Sequence, residues 1–316
     1  MSAIVFGSIN IDLVTRTPRL PVPGETLTGH EFATVPGGKG ANQAVAIARL
    51  GVPTFMVGRI GNDAFGQELL TSLQEAGVRC DRILTDASTT SGIAVIAVDD
   101  QGENTIILVP GANEQVSEAD IERMQDLLSG ATALLLQLEV PMPAVIATAQ
   151  VAHSAGVKVI LDPAPAPLEL PAILYPLVDI ITPNQVEASR LTGIAVEDAD
   201  SAARAAAVFH QWGVAIVIIK LGRQGAFCSI ATEQETEQFF SPAFPVKAVD
   251  TVAAGDAFNG GLAAALAEEL PLKQAIERAA AVAALSVMKA GAQPSMPTFD
   301  EVRAFLESED KQLFRR

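Results

Sequence analysis

The chain has 316 residues, 49% of them apolar, which is enough to bury a large core in one domain and too hydrophobic for a disordered protein. Its net charge of −16 is spread along the chain, with no Lys/Arg run to grip a nucleic-acid backbone, and no stretch reaches the roughly 18 uncharged apolar residues of a membrane span. The opening six residues lack the basic segment of a signal peptide, and Cys80 and Cys228 lie far apart without His at ligand spacing, so a cytoplasmic protein with no disulfide framework, zinc site, nucleic-acid partner or membrane partner is expected.

The first strand is expected at Ile4 to Phe6, running into Gly7-Ser8-Ile9-Asn10-Ile11-Asp12. From Leu13 to Val35 prolines and glycines interrupt short extended pieces, and no helical pattern emerges. Pro36-Gly37-Gly38-Lys39-Gly40-Ala41-Asn42-Gln43 then opens a helix over Ala41 to Leu50, its glycines allowing a ligand close to the backbone. This run is neither a P-loop, which needs Gly-x-x-x-x-Gly-Lys-Ser/Thr, nor a Gly-x-Gly-x-x-Gly dinucleotide fingerprint, and alone it is a weak signal. Gly92 to Val98 and Thr105 to Val109 flank Asp99-Asp100-Gln101-Gly102 as a β-hairpin, which with the earlier extended pieces makes a small antiparallel sheet outside the main one.

From about residue 130 the rhythm changes. Ala133 to Leu138, Val157 to Leu161, Val178 to Ile181 and Ala215 to Ile219 read as buried strands, and Ala144 to Ala155 and Ala199 to Trp212 between them as helices. Strands apolar on both faces in β-then-α order imply a parallel sheet covered on both sides by helices. Ligands in such sheets bind just beyond the carboxyl ends of the strands. Those ends are polar here: Asn10 and Asp12, Gln137 to Glu139, Asp162, Asn184, and Lys220 to Gly222. Any one of them can be explained as a cap of the next helix, but five converging on one rim point to a site.

Val249 to Phe258 is the most informative stretch. Small residues around Gly255 let backbone N–H groups approach an anion, and the Ala-rich helix that follows, to Glu268, directs its positive N-terminal end to the same place. Asp256 in the first turn can accept a hydroxyl proton while those N–H groups stabilise phosphoryl oxygens. An Asp serving only as a helix start does not explain Ala253-Ala254-Gly255 before it.

These motifs, with Asp162-Pro163-Ala164-Pro165-Ala166, Thr182-Pro183-Asn184 and Gly291-Ala292-Gln293-Pro294-Ser295, resemble the PfkB-type sugar kinase family over nearly the whole chain. The Asp250 to Asp256 block resembles the family signature, and its combination with Gly37 to Gln43 and Gly291 to Ser295 points to the branch that phosphorylates D-ribose at the 5-hydroxyl. The resemblance implies a single three-layer α/β/α domain over 1–316, with a mainly parallel central sheet and a small antiparallel β lid formed by about 12–36 and 91–109. It also implies ATP as donor, Mg²⁺ and K⁺ as cofactors, and a set of residue roles. Asn10, Asp12, Gly38, Lys39, Asn42 and Glu139 match the sugar-binding set, Asp256 the base, and Ala253, Ala254 and Gly255 the anion hole. Asn184 and Glu187 match the pair that orders Mg²⁺ through water, while Lys220, Leu221, Gly222, Arg223, Gln224 and Gly225 would lie along the nucleotide with Gly255 and Asp256. Asp250, Val252, Ser286, Lys289, Gly291 and Ser295 match positions that hold K⁺. Two residues depart from the family's usual pattern: Gln185 follows Thr-Pro-Asn where Glu is common, and Lys220 stands where Thr precedes Leu-Gly.

The rival readings are another sugar or nucleoside kinase, such as one for deoxyribose or fructose, a catalytically silent sugar-binding protein, and a dinucleotide oxidoreductase. Asp12 favours neighbouring hydroxyls over a deoxy sugar, only Phe32 offers an aromatic platform for a base in the lid segments, Asp256 with its anion hole argues for catalysis, and the dinucleotide fingerprint is missing. His30, His153 and His210 are isolated and read as surface or helix-face residues, and Trp212 as packing at a helix end. In Ile93 to Val98 both alternating faces are apolar, whereas a monomer's lid would show one face to water, so a homodimer through the lid is expected.

Overall fold

A computed structural model describes residues 1–232 and 234–313. In chain order the elements are β1 (Ser2–Phe6), β2 (Asn10–Thr17), β3 (Glu31–Gly37), α1 (Lys39–Arg49), β4 (Thr54–Gly61), α2 (Ala64–Glu75), β5 (Arg79–Asp86), β6 (Gly92–Asp99), β7 (Asn104–Val109), α3 (Glu118–Glu122) and β8 (Ala131–Leu136). They continue with α4 (Met142–Ser154), β9 (Lys158–Leu161), β10 (Ile180–Ile181), α5 (Gln185–Thr192), α6 (Ala199–Gln211), β11 (Ile216–Lys220), β12 (Gly225–Ala231), β13 (Thr236–Pro242), α7 (Ala254–Ala267), α8 (Leu272–Ser286) and α9 (Phe299–Leu313).

Nine strands form the main sheet in the order β13-β12-β11-β10-β9-β8-β1-β4-β5. Every pair from β5 to β11 is parallel, and β12 and β13 add an antiparallel edge. Alternation along each strand explains the three layers. Ala3 and Val5 of β1 and Leu135 of β8 point into a core shared with α1, α7 and α8, whereas Ile4, Phe6, Leu134 and Leu136 point into a second core shared with α4 and α6. Truncating one such fully buried side chain, as in Leu135→Ala, costs about 2–5 kcal/mol. The aromatic trio Tyr175, Phe209 and Trp212 fills the second core beneath α6, and Trp212 caps that helix as expected.

The small sheet runs β3-β2-β6-β7. Its outer pairs are antiparallel, but β2 and β6 pair in parallel, so the expectation of an antiparallel lid holds for two of its three pairings. The reason lies in the connections: β2 follows the carboxyl end of β1 and β6 that of β5, so both leave the same rim of the main sheet in the same direction. The strands β4, β5, β12 and β13 were not foreseen. Arg and Asp in β5 and the exposed Thr236 to Gln238 of β13 belong to sheet edges, where contact with water dilutes the apolar pattern.

Candidate active site

The polar strand ends meet because β1, β8, β9, β10 and β11 are adjacent and mutually parallel, so their carboxyl ends share one rim. Helix α7 starts opposite that rim. Its N-cap, Ala253, adopts φ +58°, a left-handed conformation that is unusual for a residue with a Cβ, and no side chain caps the helix. Among the described residues the N–H groups of Gly255 and Asp256 donate to nothing, leaving them for an anion.

Asp256 is buried, with both carboxylate oxygens held: Asn42 Nδ2 donates to Oδ2 at 3.0 Å and Gln43 Nε2 to Oδ1 at 3.1 Å. Burial is the main cause that pushes its pKa up to about 6; nearby Asp162 adds to the rise, while Lys39 and the two amides oppose it. The same Gln43 Nε2 donates to Asp162 Oδ2 at 3.0 Å, and Gln137 Nε2 donates to Gln43 Oε1 at 2.7 Å. Lys220 Nζ pairs with Asp162 Oδ1 at 3.1 Å. A Cβ at position 255 would stand 3.3 Å from the Lys220 ammonium, so this cation sits at the mouth of the anion hole. Lys39 is half-buried, and its desolvation disfavours its charge, yet the carboxylates of Asp256, Asp162, Glu139 and Glu187 outweigh that and hold its pKa above the usual lysine value.

On the lid side, Asn10 and Asp12 alternate onto one face of β2. Burial first, then the charges of Glu139 and Asp256, push Asp12 up to about 7. Glu139 accepts from Ser8 Oγ and, at 3.2 Å, from the Lys39 backbone N–H. A Cβ at Gly37 would lie 2.5 Å from Asp12 Oδ2 and displace that carboxylate, and Gly38 combines φ +89° with a would-be Cβ contact of 2.7 Å to the Asn10 backbone N. The expected sugar set therefore gathers in one place.

On the other side of Asp256 a cavity of about 600 Å³ opens. Lys39, Asp162, Asn184, Glu187, Lys220 and Gly255 line its polar end, Gly222, Arg223 and Gly225 one flank, and Phe244, Pro245, Val246, Ala280, Ala283 and Val287 an apolar slot. Leu221 and Gln224 do not face it. Leu221 packs in the second core, and the Gln224 amide donates to the Glu197 carbonyl. The apolar wall was not foreseen, because the proline-broken run Ala243 to Val246 carries no periodic signal and α8 reads only as a core helix.

Asn184 and Glu187 form a reciprocal capping box on α5: Asn184 Oδ1 accepts from Glu187 N at 2.9 Å, and the Glu187 carboxylate accepts from the Asn184 backbone and side chain at 2.8 Å each. The pair thus has a structural duty, and it also faces the cleft. Burial and Asp162 raise the Glu187 pKa, against the pull of Lys220 and Lys39. Among the described residues no group of three or more His, Cys, Asp or Glu is arranged to hold a metal. Further round, Asp250 accepts from Val252 N at 3.0 Å and Gly291 N at 2.9 Å, and Val287 O accepts from Val249 N and Asp250 N, which ties the two segments together. Ser286 and Ser295 are buried and donate to the carbonyls of Ala283 and Ala292, while the Lys289 ammonium turns away to Glu301.

The pfkB family carbohydrate kinase model matches residues 2–299. The chain is 44% identical over 303 residues to a ribokinase of Haemophilus influenzae, covering 96% of this chain and 97% of that protein. It is 38% identical over 298 residues to a ribokinase of Mus musculus, covering 94% and 92%. Its fold matches that of Arabidopsis thaliana ribokinase complexed with ribose and ATP with a TM-score of 0.89 at 36% identity, covering 96% of this chain and 98% of that one.

Proposed function

Because the chain belongs to the pfkB family of carbohydrate kinases, we propose that it transfers the γ-phosphate of ATP to the 5-hydroxyl of D-ribose, yielding ribose 5-phosphate and ADP. The observation that carries this reading is the position of Asp256, between the lid-side carboxylates Asp12 and Glu139 and the cleft with its apolar slot. A pKa near 6 leaves it ionised at neutral pH and basic enough to take the hydroxyl proton. Asn42 and Gln43 fix its orientation, and the free N–H groups of the α7 turn with Lys220 face the charge that develops on the transferred phosphoryl group. Asp12 accepts from neighbouring sugar hydroxyls, which disfavours a sugar lacking one of them. The apolar slot fits a nucleotide base.

Two cations complete this reading. The negative charge of buried Asp162 and half-buried Glu187, close to where ATP phosphates would lie, suits Mg²⁺ held through water by Asn184 and Glu187, and the metal would neutralise phosphate charge. The carbonyl oxygens of Asp250, Val252, Lys289 and Gly291 accept no hydrogen bond among the described residues, so these segments, with Ser286 and Ser295 on the same stretch as Lys289 and Gly291, fit a monovalent cation such as K⁺ beside the anion hole. The lid keeps apolar side chains exposed, among them Val95, Ile106, Ile107 and Val109, which supports a homodimer through this sheet. We place the reaction in the cytoplasm, where ATP is made and thiols such as Cys80 and Cys228 stay reduced.

The decisive experiment incubates the protein with ATP and a panel of ribose, 2-deoxyribose, fructose and adenosine. Ribose 5-phosphate is expected as the preferred product, identified by its phosphorus-to-H5 coupling in NMR. Faster turnover of another acceptor would replace ribose, and no phosphorylated product would end the kinase reading.

A further inference from the structure

We infer that Asn113 determines which way the Asn10 side-chain amide faces, and thereby makes Asn10 a hydrogen-bond donor to the sugar; the inference rests on the ribose-kinase reading of the pocket. Asn113 follows lid strand β7 and is buried, and it reaches back more than a hundred residues to the end of β1. A backbone N–H can only donate. The contact of 2.9 Å between Ile9 N and the Asn113 side chain therefore requires the Asn113 oxygen at that position. Its Nδ2 is then directed at the Ile9 carbonyl at 3.2 Å, which can only accept, and at the Asn10 side chain at 2.7 Å.

The second of those contacts forces the Asn10 oxygen inward. Its Nδ2 is left on the opposite side, which we assign to the sugar pocket, and among the described residues it donates to no protein group. Asn10 and Asp12 share one face of β2 two residues apart, so once Asp12 is ionised the pocket presents a donor beside a carboxylate that can only accept. A sugar hydroxyl facing Asn10 must accept, and one facing the ionised Asp12 must donate. Gly92 belongs to the same device, since a Cβ there would come within 2.2 Å of both Asn10 Oδ1 and Asn113 Nδ2. Asn113 itself touches no substrate; it is a positioning residue. It also links the lid to the pocket, because β6 and β7 deliver Gly92 and Asn113 to the same point.

The test is Asn113→Asp, which keeps the acceptor for Ile9 N but sets a carboxylate oxygen against the Asn10 oxygen. The Asn10 amide is expected to turn over and offer its oxygen to the sugar. The KM for ribose should rise at least about tenfold, the scale of an unsatisfied buried polar contact, with kcat and the KM for ATP changing much less. In an Asn10→Ala background the same substitution should add almost nothing, because the group through which it acts is gone. An unchanged KM, or a rise that persists undiminished in the Asn10→Ala background, overturns the inference. Ribose turnover by the unsubstituted enzyme tests the functional reading separately. Should the Asn113 variant misfold, the unsubstituted protein still decides. Its Asn10 side-chain NH₂ resonances should shift on addition of ribose while those of Asn113 stay slow to exchange, and Asn10 resonances unmoved at saturating ribose overturn the inference as well.

Discussion

Asp256 is buried and Asp12 half-buried, and both pKa values are raised, yet the proposed reaction asks different things of them: Asp256 to take a proton and Asp12 to accept hydrogen bonds. Asp256→Asn keeps the size and part of the hydrogen bonding of the side chain, so ATP binding by calorimetry should survive. The kcat should fall at least about 10²-fold, the scale for losing a general base, and near-normal turnover would remove Asp256 from the mechanism. Asp12 illustrates the cost of function to stability. Its folded pKa of about 7 lies above the ordinary 3.8, so the folded state holds the proton more tightly than the unfolded one. That advantage is fully present below about pH 4 and disappears as pH rises through 7, where the buried site must carry the charge. Asp12→Asn should therefore raise the melting temperature at pH 8, by a stabilisation on the order of a few kcal/mol, have no such effect at pH 4, and weaken ribose binding. Equal shifts at both pH values would show that burial of the charge is not the cause.

At the scale of elements, the start of α7 concentrates the chemistry. Its first turn has no side-chain cap, its N-cap is strained at Ala253, and its leading N–H groups are free, features that burial of the following Phe258 and Leu262 in the core makes tolerable. Gly255 separates a packing role from a chemical one. An added Cβ meets only the flexible end of Lys220, at 3.3 Å, and alanine is a better helix former than glycine. Gly255→Ala should leave the melting temperature nearly unchanged while filling the seat of the phosphoryl group, so kcat/KM for ATP should drop by about tenfold or more. A loss of stability that parallels the loss of activity would instead mark Gly255 as a packing residue.

The whole molecule sets two further expectations. The lid is apolar at its tip on both faces: Val95 and Ile107 face one way and Ile106 and Leu108 the other, all exposed in a single chain. If one face closes over the sugar, as the proposed function requires, the other needs a cover, so light scattering at micromolar concentration should report a dimer, and replacing Ile107 with Lys should shift it toward monomer. A monomeric unsubstituted protein would refute this. The net charge of −16 makes ATP an awkward guest, which a cation held by Asp250, Val252, Lys289 and Gly291 beside the α7 turn would ease. The kcat/KM for ribose should be clearly higher in potassium than in sodium or a bulky organic cation at equal ionic strength, and Asp250→Ala should flatten the difference. Equal rates in all three salts would leave the kinase reading standing without this site.

Much of this protein is written locally. The parallel α/β architecture, the hairpin at Gly92 to Val109 and the family follow from patterns contained within short windows: apolar runs on both faces of β8 and β9, the turn residues after Asp99, and the Gly-Asp pair at the head of an Ala-rich helix. The candidate site was legible in outline for the same reason, since strand ends advertise their polarity one after another along the chain. What no window contains are the partnerships. Gln43 bridges Asp256 and Asp162 across more than a hundred residues, Lys220 lies against Gly255, and the apolar slot joins Phe244 to α8. The parallel pairing of β2 with β6 is likewise set by where β1 and β5 end. Orientation is the clearest case: Asn10 can be read from the sequence as polar and near a strand end, but whether it offers a donor or an acceptor is decided by Asn113, because an amide has two faces and only its tertiary hydrogen-bond partners choose between them.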